Sequence, residues 1–340
     1  METTKKRLDW VDVAKFVLSI MIVTIHLSPF PSLDPYIMPM LRVAVPLFFL
    51  ISAFFFFGKY HAEITIEGKI GRLERYVKRN LQLYFFWLIV LLLPTLSYRK
   101  WFDAGLLMGI FHAMRDFVFG STFIASWYIM ASIIATVAIA VASRYLGNKC
   151  LVALSLVTYC ACCLLSNYGN APFVASHYDA LYFAFQEGYN SFWVALFWVV
   201  AGKILAENKQ KVLQLGKGYL WATFFVGVVI IYLEQITVLR GGWAVADDCY
   251  FGLAIVCVPL FLLIIRANVS CKMASFLRNA SIVTYCLHAT LNWLLVHFTF
   301  ASAWHPFTIF AIVLALSWFL TAAIMRLEKC SRLSWLRYSH

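Results

Sequence analysis

An all-α fold of the membrane class, a polytopic bundle of about ten transmembrane helices with both termini cytoplasmic, is what three features of this 340-residue sequence predict. First, 63% of residues are hydrophobic and 13% are charged, which leaves no stretch polar enough for a soluble domain of useful size. Second, apolar windows of about 17 to 21 residues recur along the chain, each long enough to cross a hydrocarbon core of about 30 Å. Third, the basic residues of the short connecting loops fall almost wholly on one side. One membrane domain covers residues 1–340.

The windows place helices at 10–28, 39–57, 81–97, 122–143, 150–166, 189–206, 218–238, 250–266, 280–299 and 306–326. The first follows Lys5-Lys6-Arg7, as a secretion signal would. Asp12 and Lys15 interrupt the apolar core such a signal needs, however, and the exit His26-Leu27-Ser28-Pro29-Phe30-Pro31 has no small-residue cleavage pattern, so the helix is retained. Arg42 stands at the outer mouth of the second helix. The run Lys69, Arg72, Arg75, Lys78 and Arg79, with Tyr76 among them, leads into the third. It is either a snorkelling juxtamembrane helix or a docking surface for the phosphates of a nucleotide or coenzyme.

Residues 99–120 mix Arg99, Asp103, Arg115 and Asp116 with Trp101, Phe102, Leu106 and Phe111, which suits a helix lying in the interface. Trp127 and Tyr128 open the fourth helix at the outer boundary, where an aromatic belt is expected. The external segment 167–190 holds Tyr168, Tyr178, Tyr182, Gln186 and Glu187 and no lysine or arginine. It suits stacking and hydrogen bonding to sugar rings, or is an ordinary loop with aromatic anchors. Glu234, near the outer end of the seventh helix, contacts an acceptor or water. Tyr285, His288 and Asn292 share a face of the ninth, as in a polar network between helices.

Only Arg99, Lys100, Arg115 and Arg240 fall on the side opposite the basic loops, which orients both termini to the cytoplasm. The net charge of +12 is thereby explained by topology and anionic membrane lipid, and nucleic acid is not an expected partner. Of the nine cysteines, Cys160, Cys162, Cys163, Cys257 and Cys286 sit inside helices as small apolar groups. Their spacing fits no metal site, and Cys249, alone near the outer boundary, has no evident disulfide partner.

Ionisable residues inside a spanning helix carry a functional expectation. Lys15 and His26 are separated by eleven positions, so they lie within about 20° of one another on the first helix and roughly 16 Å apart along its axis. A cation near one end and an imidazole near the other suggest a site reached from both sides. Asp12, one turn from Lys15, is placed to pair with it.

Two signatures carry a resemblance. One is Leu8-Asp9-Trp10-Val11-Asp12-Val13-Ala14-Lys15 running to Val23-Thr24-Ile25-His26. The other is Arg42-Val43-Ala44-Val45-Pro46-Leu47-Phe48-Phe49-Leu50-Ile51-Ser52-Ala53. With Ser126-Trp127-Tyr128-Ile129 and Ser281-Ile282-Val283-Thr284-Tyr285-Cys286-Leu287-His288, the chain resembles the integral membrane acyltransferase family 3, which includes sugar O-acetyltransferases of bacterial envelopes. Lysine stands at position 15 where the family usually has arginine, and Ala53 where it usually has glycine. The resemblance implies a multi-pass protein of the bacterial inner membrane. It also implies transfer of an acyl group, acetyl first among candidates, from cytoplasmic acyl-CoA to a hydroxyl of an envelope carbohydrate or lipid-linked glycan.

In that reading His26 is the general base or is transiently acylated, and Arg42 stabilises an oxyanion or snorkels. Lys15 and Asp12 bind or orient the donor. Trp127, Tyr128, Glu234, Tyr285 and His288 belong to the acceptor site or to a polar network. No metal is called for, and acyl-CoA is a substrate rather than a resident cofactor. The rival class is a transporter or flippase of a small solute or glycolipid. Against it, no matching Gly/Pro-broken helices recur in the two halves.

Overall fold

The computed structural model describes residues 9–267, 269–298 and 300–340; the basic tail Lys5-Lys6-Arg7 lies outside them. Every regular element among these residues is helical. The chain crosses the bundle in α1 (Asp9–Leu27), turns through the short α2 (Asp34–Leu41) and returns in α3 (Ala44–Tyr60). Next come α4 (Ile66–Val90) and α5 (Leu92–Arg99), bent by 75° at their junction. They are followed by α6 (Leu106–Phe119), α7 (Trp127–Ala142), α8 (Asn148–Asn167), and the short α9 (Pro172–Ala175) and α10 (Tyr178–Phe185). α11 (Phe192–Glu207) and the short α12 (Lys209–Leu213) lead to α13 (Lys217–Gly241) and α14 (Leu253–Arg266). α15 (Ala274–Phe298) and α16 (Pro306–Leu327) complete the bundle, and Ser331–Ser339 forms 3-10 turns.

Eight of the ten apolar windows each fall on one of these helices, whereas 39–57 runs from the end of α2 into α3 and 81–97, expected as one helix, is divided between α4 and α5. By length and apolar composition, five spans are able to cross a membrane, the unit 34–60 counting as one, or seven if the bent pairs α4–α5 and α10–α11 each form one span. α7 and α14 are apolar but shorter. The breaks have a local cause. Pro94 offers no N–H and its ring crowds the carbonyl four residues before it, so α4 cannot run on past Val90. Pro46 acts in the same way on the Arg42 carbonyl and separates α2 from α3, which leaves Arg42 at a helix junction.

α6 leaves Leu106, Leu107, Ile110, Phe111 and Met114 exposed, an apolar flank in keeping with an interfacial helix. Lys203 and Asp116 are both buried. Lys203 lies within α11, 3% exposed, and donates to Asn148 and Glu207 at 2.7 Å each. Asp116 accepts from Trp101 Nε1 at 2.8 Å and from Arg115. Cys249 also has a neighbour that sequence did not reveal, the Cys163 Sγ at 3.4 Å, both thiols being free.

Side-chain links define two faces of the bundle. On the first face, which holds the start of α1, His61 lies 3.1 Å from Glu207, and Asn148 donates to the same carboxylate. These contacts join the ends of α3 and α11 to the start of α8. On the second face, which holds the end of α1, Arg42 pairs with Asp248, and Asn190 donates to Asp248. Ser166, near the end of α8, accepts the N–H groups of Asp248 and Cys249. Between the faces α3 and α11 approach closely. A Cβ on Gly202 would stand 2.6 Å from the Ala53 Cβ and 3.1 Å from the Leu50 carbonyl oxygen.

Candidate active site

α1 packs along α15, and the periodicity that buries Leu18, Ile22 and Val23 carries His26 to the end of the helix with an exposed edge. Its ring centroid lies 5.1 Å from that of His288, which is fully buried in α15. His288 Nδ1 is 2.8 Å from the Tyr285 carbonyl oxygen and 3.2 Å from that of Thr284. A carbonyl only accepts, so Nδ1 carries the proton and Nε2 presents a lone pair. That Nε2 is buried with no hydrogen-bond partner, as is Thr284 Oγ1 one turn away. Leaving a buried polar atom unpaired costs about 1–3 kcal/mol, so His288 Nε2, with its ring against that of His26, has the capacity to accept a further hydrogen bond.

A cleft of about 460 Å³ leads towards these histidines from the first face. Lys15, Arg79, Arg278 and Arg337 line it, and its inner end meets Tyr128 and Tyr285. Tyr76, singled out in the basic run, stands in the same wall, with its Oη 3.4 Å from Ser52 Oγ and from Thr136 Oγ1. Four cations converging on one cleft favour a polyanionic ligand, and the guanidinium groups add planar forks suited to phosphate. Beyond the cleft, rings continue the path. Tyr128 and Tyr285 are 5.7 Å apart between centroids, and Tyr285 and His288 6.2 Å. His26 does not line the cleft itself; it is reached through this series.

The remaining sequence-derived candidates divide by what holds them. Arg42 pairs with Asp248 and lies within electrostatic reach of His26, with its Nε buried and unpartnered. Asp12 stands 4.0 Å from Arg278 Nη1, so its cross-helix cation is one that sequence did not suggest. Glu234 accepts from the N–H groups of Phe251 and Gly252 at 2.8 and 2.9 Å and from Tyr168 Oη at 3.1 Å. Its carboxylate clasps the start of α14. Trp127 packs on Phe49 and lines a separate polar pocket, while Tyr128 borders the cleft.

Arg278, Arg337 and Asp248 were missed because each acts from a loop or helix end far away in sequence. Arg79 had a signal, the basic run that contains it. No group of three or more His, Cys, Asp or Glu is placed to hold a metal among the described residues.

Comparison with known proteins adds three findings. A family profile described as an acyltransferase domain matches residues 8–326. Two amino-acid racemases of Enterococcus faecalis are similar to parts of the chain. One is 31% identical over 160 residues, 46% of this chain and 22% of the relative, and the other 30% identical over 137 residues, 39% and 18% respectively. The chain thus spans about a fifth of the length of these curated relatives. No solved structure matches it.

Proposed function

From the premise that the chain belongs to acyltransferase family 3, we propose that it moves an acyl group, acetyl in the simplest case, from cytoplasmic acyl-CoA to a hydroxyl of an envelope carbohydrate or lipid-linked glycan. The observation that carries this reading is the cationic cleft of Lys15, Arg79, Arg278 and Arg337, which ends at Tyr285 one ring short of the His288–His26 pair. The donor's phosphates sit among the cations and its thioester arm runs inward past Tyr128 and Tyr285. His26 takes the proton of the acceptor hydroxyl as its oxygen attacks the thioester carbonyl. The new C–O bond forms, the C–S bond breaks, and the departing thiolate takes that proton back as free coenzyme. Arg42 faces the developing oxyanion. Ten spans, with the first face and both termini in the cytoplasm of a bacterial inner membrane, complete the proposal.

Vesicles carrying wild type or His26→Ala at matched levels test it, with labelled acetyl-CoA as donor and envelope glycan as acceptor. Label entering glycan only with wild type is the expected result. Equal transfer by both, or none by folded wild type with any short-chain donor, would overturn the assignment.

A second reading, movement of a small solute, has one observation in its favour: the two faces of the bundle each carry a cavity. Racemisation is the named activity of the two relatives, and an amino acid is therefore the solute to try first. Uptake into vesicles without coenzyme A dependence would support that reading.

A further inference from the structure

On the second face, a pocket of about 250 Å³ is enclosed by the end of α5, α6, the start of α7 and the segment 182–190. Trp127 and Tyr182 offer aromatic faces there, and Asp116, Gln186 and Asn190 offer planar carboxylate or amide groups. Its floor is built rather than incidental. Arg99 donates to the carbonyls of Ser121 and Thr122, and Trp101 Nε1 fixes Asp116 at 2.8 Å. Gln186, which lines the pocket, holds a positive φ of 52°, a conformation residues other than glycine rarely adopt. Strained backbone held in place in this way gathers at ligand sites.

The charges in the pocket balance: Arg99 and Arg115 face Asp116 and Glu187. The lining therefore does not select a polyanion, unlike the cleft on the first face, and it is too polar for an acyl chain. Aromatic faces flanked by amide and carboxylate groups suit a neutral ring bearing several hydroxyls, whose C–H face stacks while its edge exchanges hydrogen bonds. The pocket is also wired to the histidines. Asn190 Nδ2 donates to Asp248 Oδ2 at 3.3 Å, and Asp248 Oδ1 pairs with Arg42, which is within electrostatic reach of His26.

We propose that this pocket is the acceptor subsite, that it takes a neutral polyhydroxylated sugar ring stacked on Trp127 or Tyr182, and that Asn190–Asp248–Arg42 positions the reacting end of the site when it is filled. Its role as acceptor subsite rests on the acyl-transfer reading; its capacity to bind a sugar ring does not.

Saturation-transfer NMR on the full chain in lipid nanodiscs tests the binding, with glucose, galactose and N-acetylglucosamine as probes. Ring protons of at least one sugar should receive saturation from wild type and from His26→Ala. The signal should fall at least fivefold in Tyr182→Ala and Gln186→Ala. No signal from any of the three sugars, or equal signals from these variants, would overturn the proposal. In the transfer assay, Tyr182→Ala and Gln186→Ala should lower labelled glycan about tenfold while labelled acyl-CoA binds as to wild type. Loss of donor binding in the same variants would mean general damage and would also count against it. Sugar binding by wild type without any coenzyme A-dependent transfer would leave the pocket standing and remove the acyl-transfer reading.

Discussion

At the scale of single residues, the two histidines are not equivalent. His288 is anchored through Nδ1 by two backbone carbonyls, whereas His26 keeps an exposed edge from which it can meet a substrate. His26→Ala should therefore lower transfer by about 10²–10⁴-fold, the usual worth of a general base, with thermal stability nearly unchanged. His288→Ala should cost less transfer and more stability, because it empties a fully buried position. In the cleft, Lys15→Ala and Arg278→Ala should each weaken acyl-CoA binding about tenfold, roughly 1.4 kcal/mol, as read by equilibrium binding of labelled donor. Lys15→Arg should retain most of it, since the charge stays and a planar fork replaces a point charge. That Lys15 and His26 share a face of α1 was legible because a helix brings residues eleven apart into line. Asp248 beside Arg42 was not, since 206 positions separate them and no periodicity links a loop to a helix junction.

At the scale of elements, α3 and α11 meet with little room to spare. Ala53, where glycine is usual, already occupies the space a Cβ on Gly202 would need. Gly202→Ala should destabilise the bundle by about 1–3 kcal/mol through overpacking, and Ala53→Gly in the same chain should recover much of that loss; thermal melts of the three variants measure it. The 3-10 segment Ser331–Ser339 makes a second informative contact. It docks by the Ser339 carbonyl, which accepts from Trp87 Nε1 at 3.0 Å, and it sets His340, Tyr338 and Arg337 into the wall of the cleft. Burial, with the charges of Arg278 and Arg79 behind it, holds the His340 imidazole below its usual range against the pull of Glu328. The released segment therefore binds a proton more readily than the docked one. Docking is at full strength above about pH 6.5 and weakens as pH falls below it. Limited proteolysis at Arg337 should accordingly run faster at about pH 5.5 than at about pH 7.5, and pH-independent cleavage would refute the linkage.

At the scale of the whole molecule, a cationic cleft lies on one face and a charge-balanced pocket on the other, which suits the proposed donor and acceptor in separate compartments. The proposed orientation, with the first face in the cytoplasm, has a direct test. The exposed thiols of Cys150 and Cys330 lie towards the first face, so an impermeant maleimide should label them in inside-out vesicles and not in intact cells. A cysteine placed at Glu187 should show the reverse; labelling of both sets from one side would refute the proposed topology. The sequence by itself determined the helical membrane class and the apolar windows, because hydropathy and helical period act over short distances along the chain. Only the tertiary structure decided that α15 brings His288 against His26 and that Arg278 and Arg337 complete the cleft. It also decided that Asp248 takes Arg42 and that Glu234 is spent on clasping α14. Those relations depend on which helices pack together, and packing is chosen by the fit of whole faces such as Ala53 on Gly202, which no local pattern records.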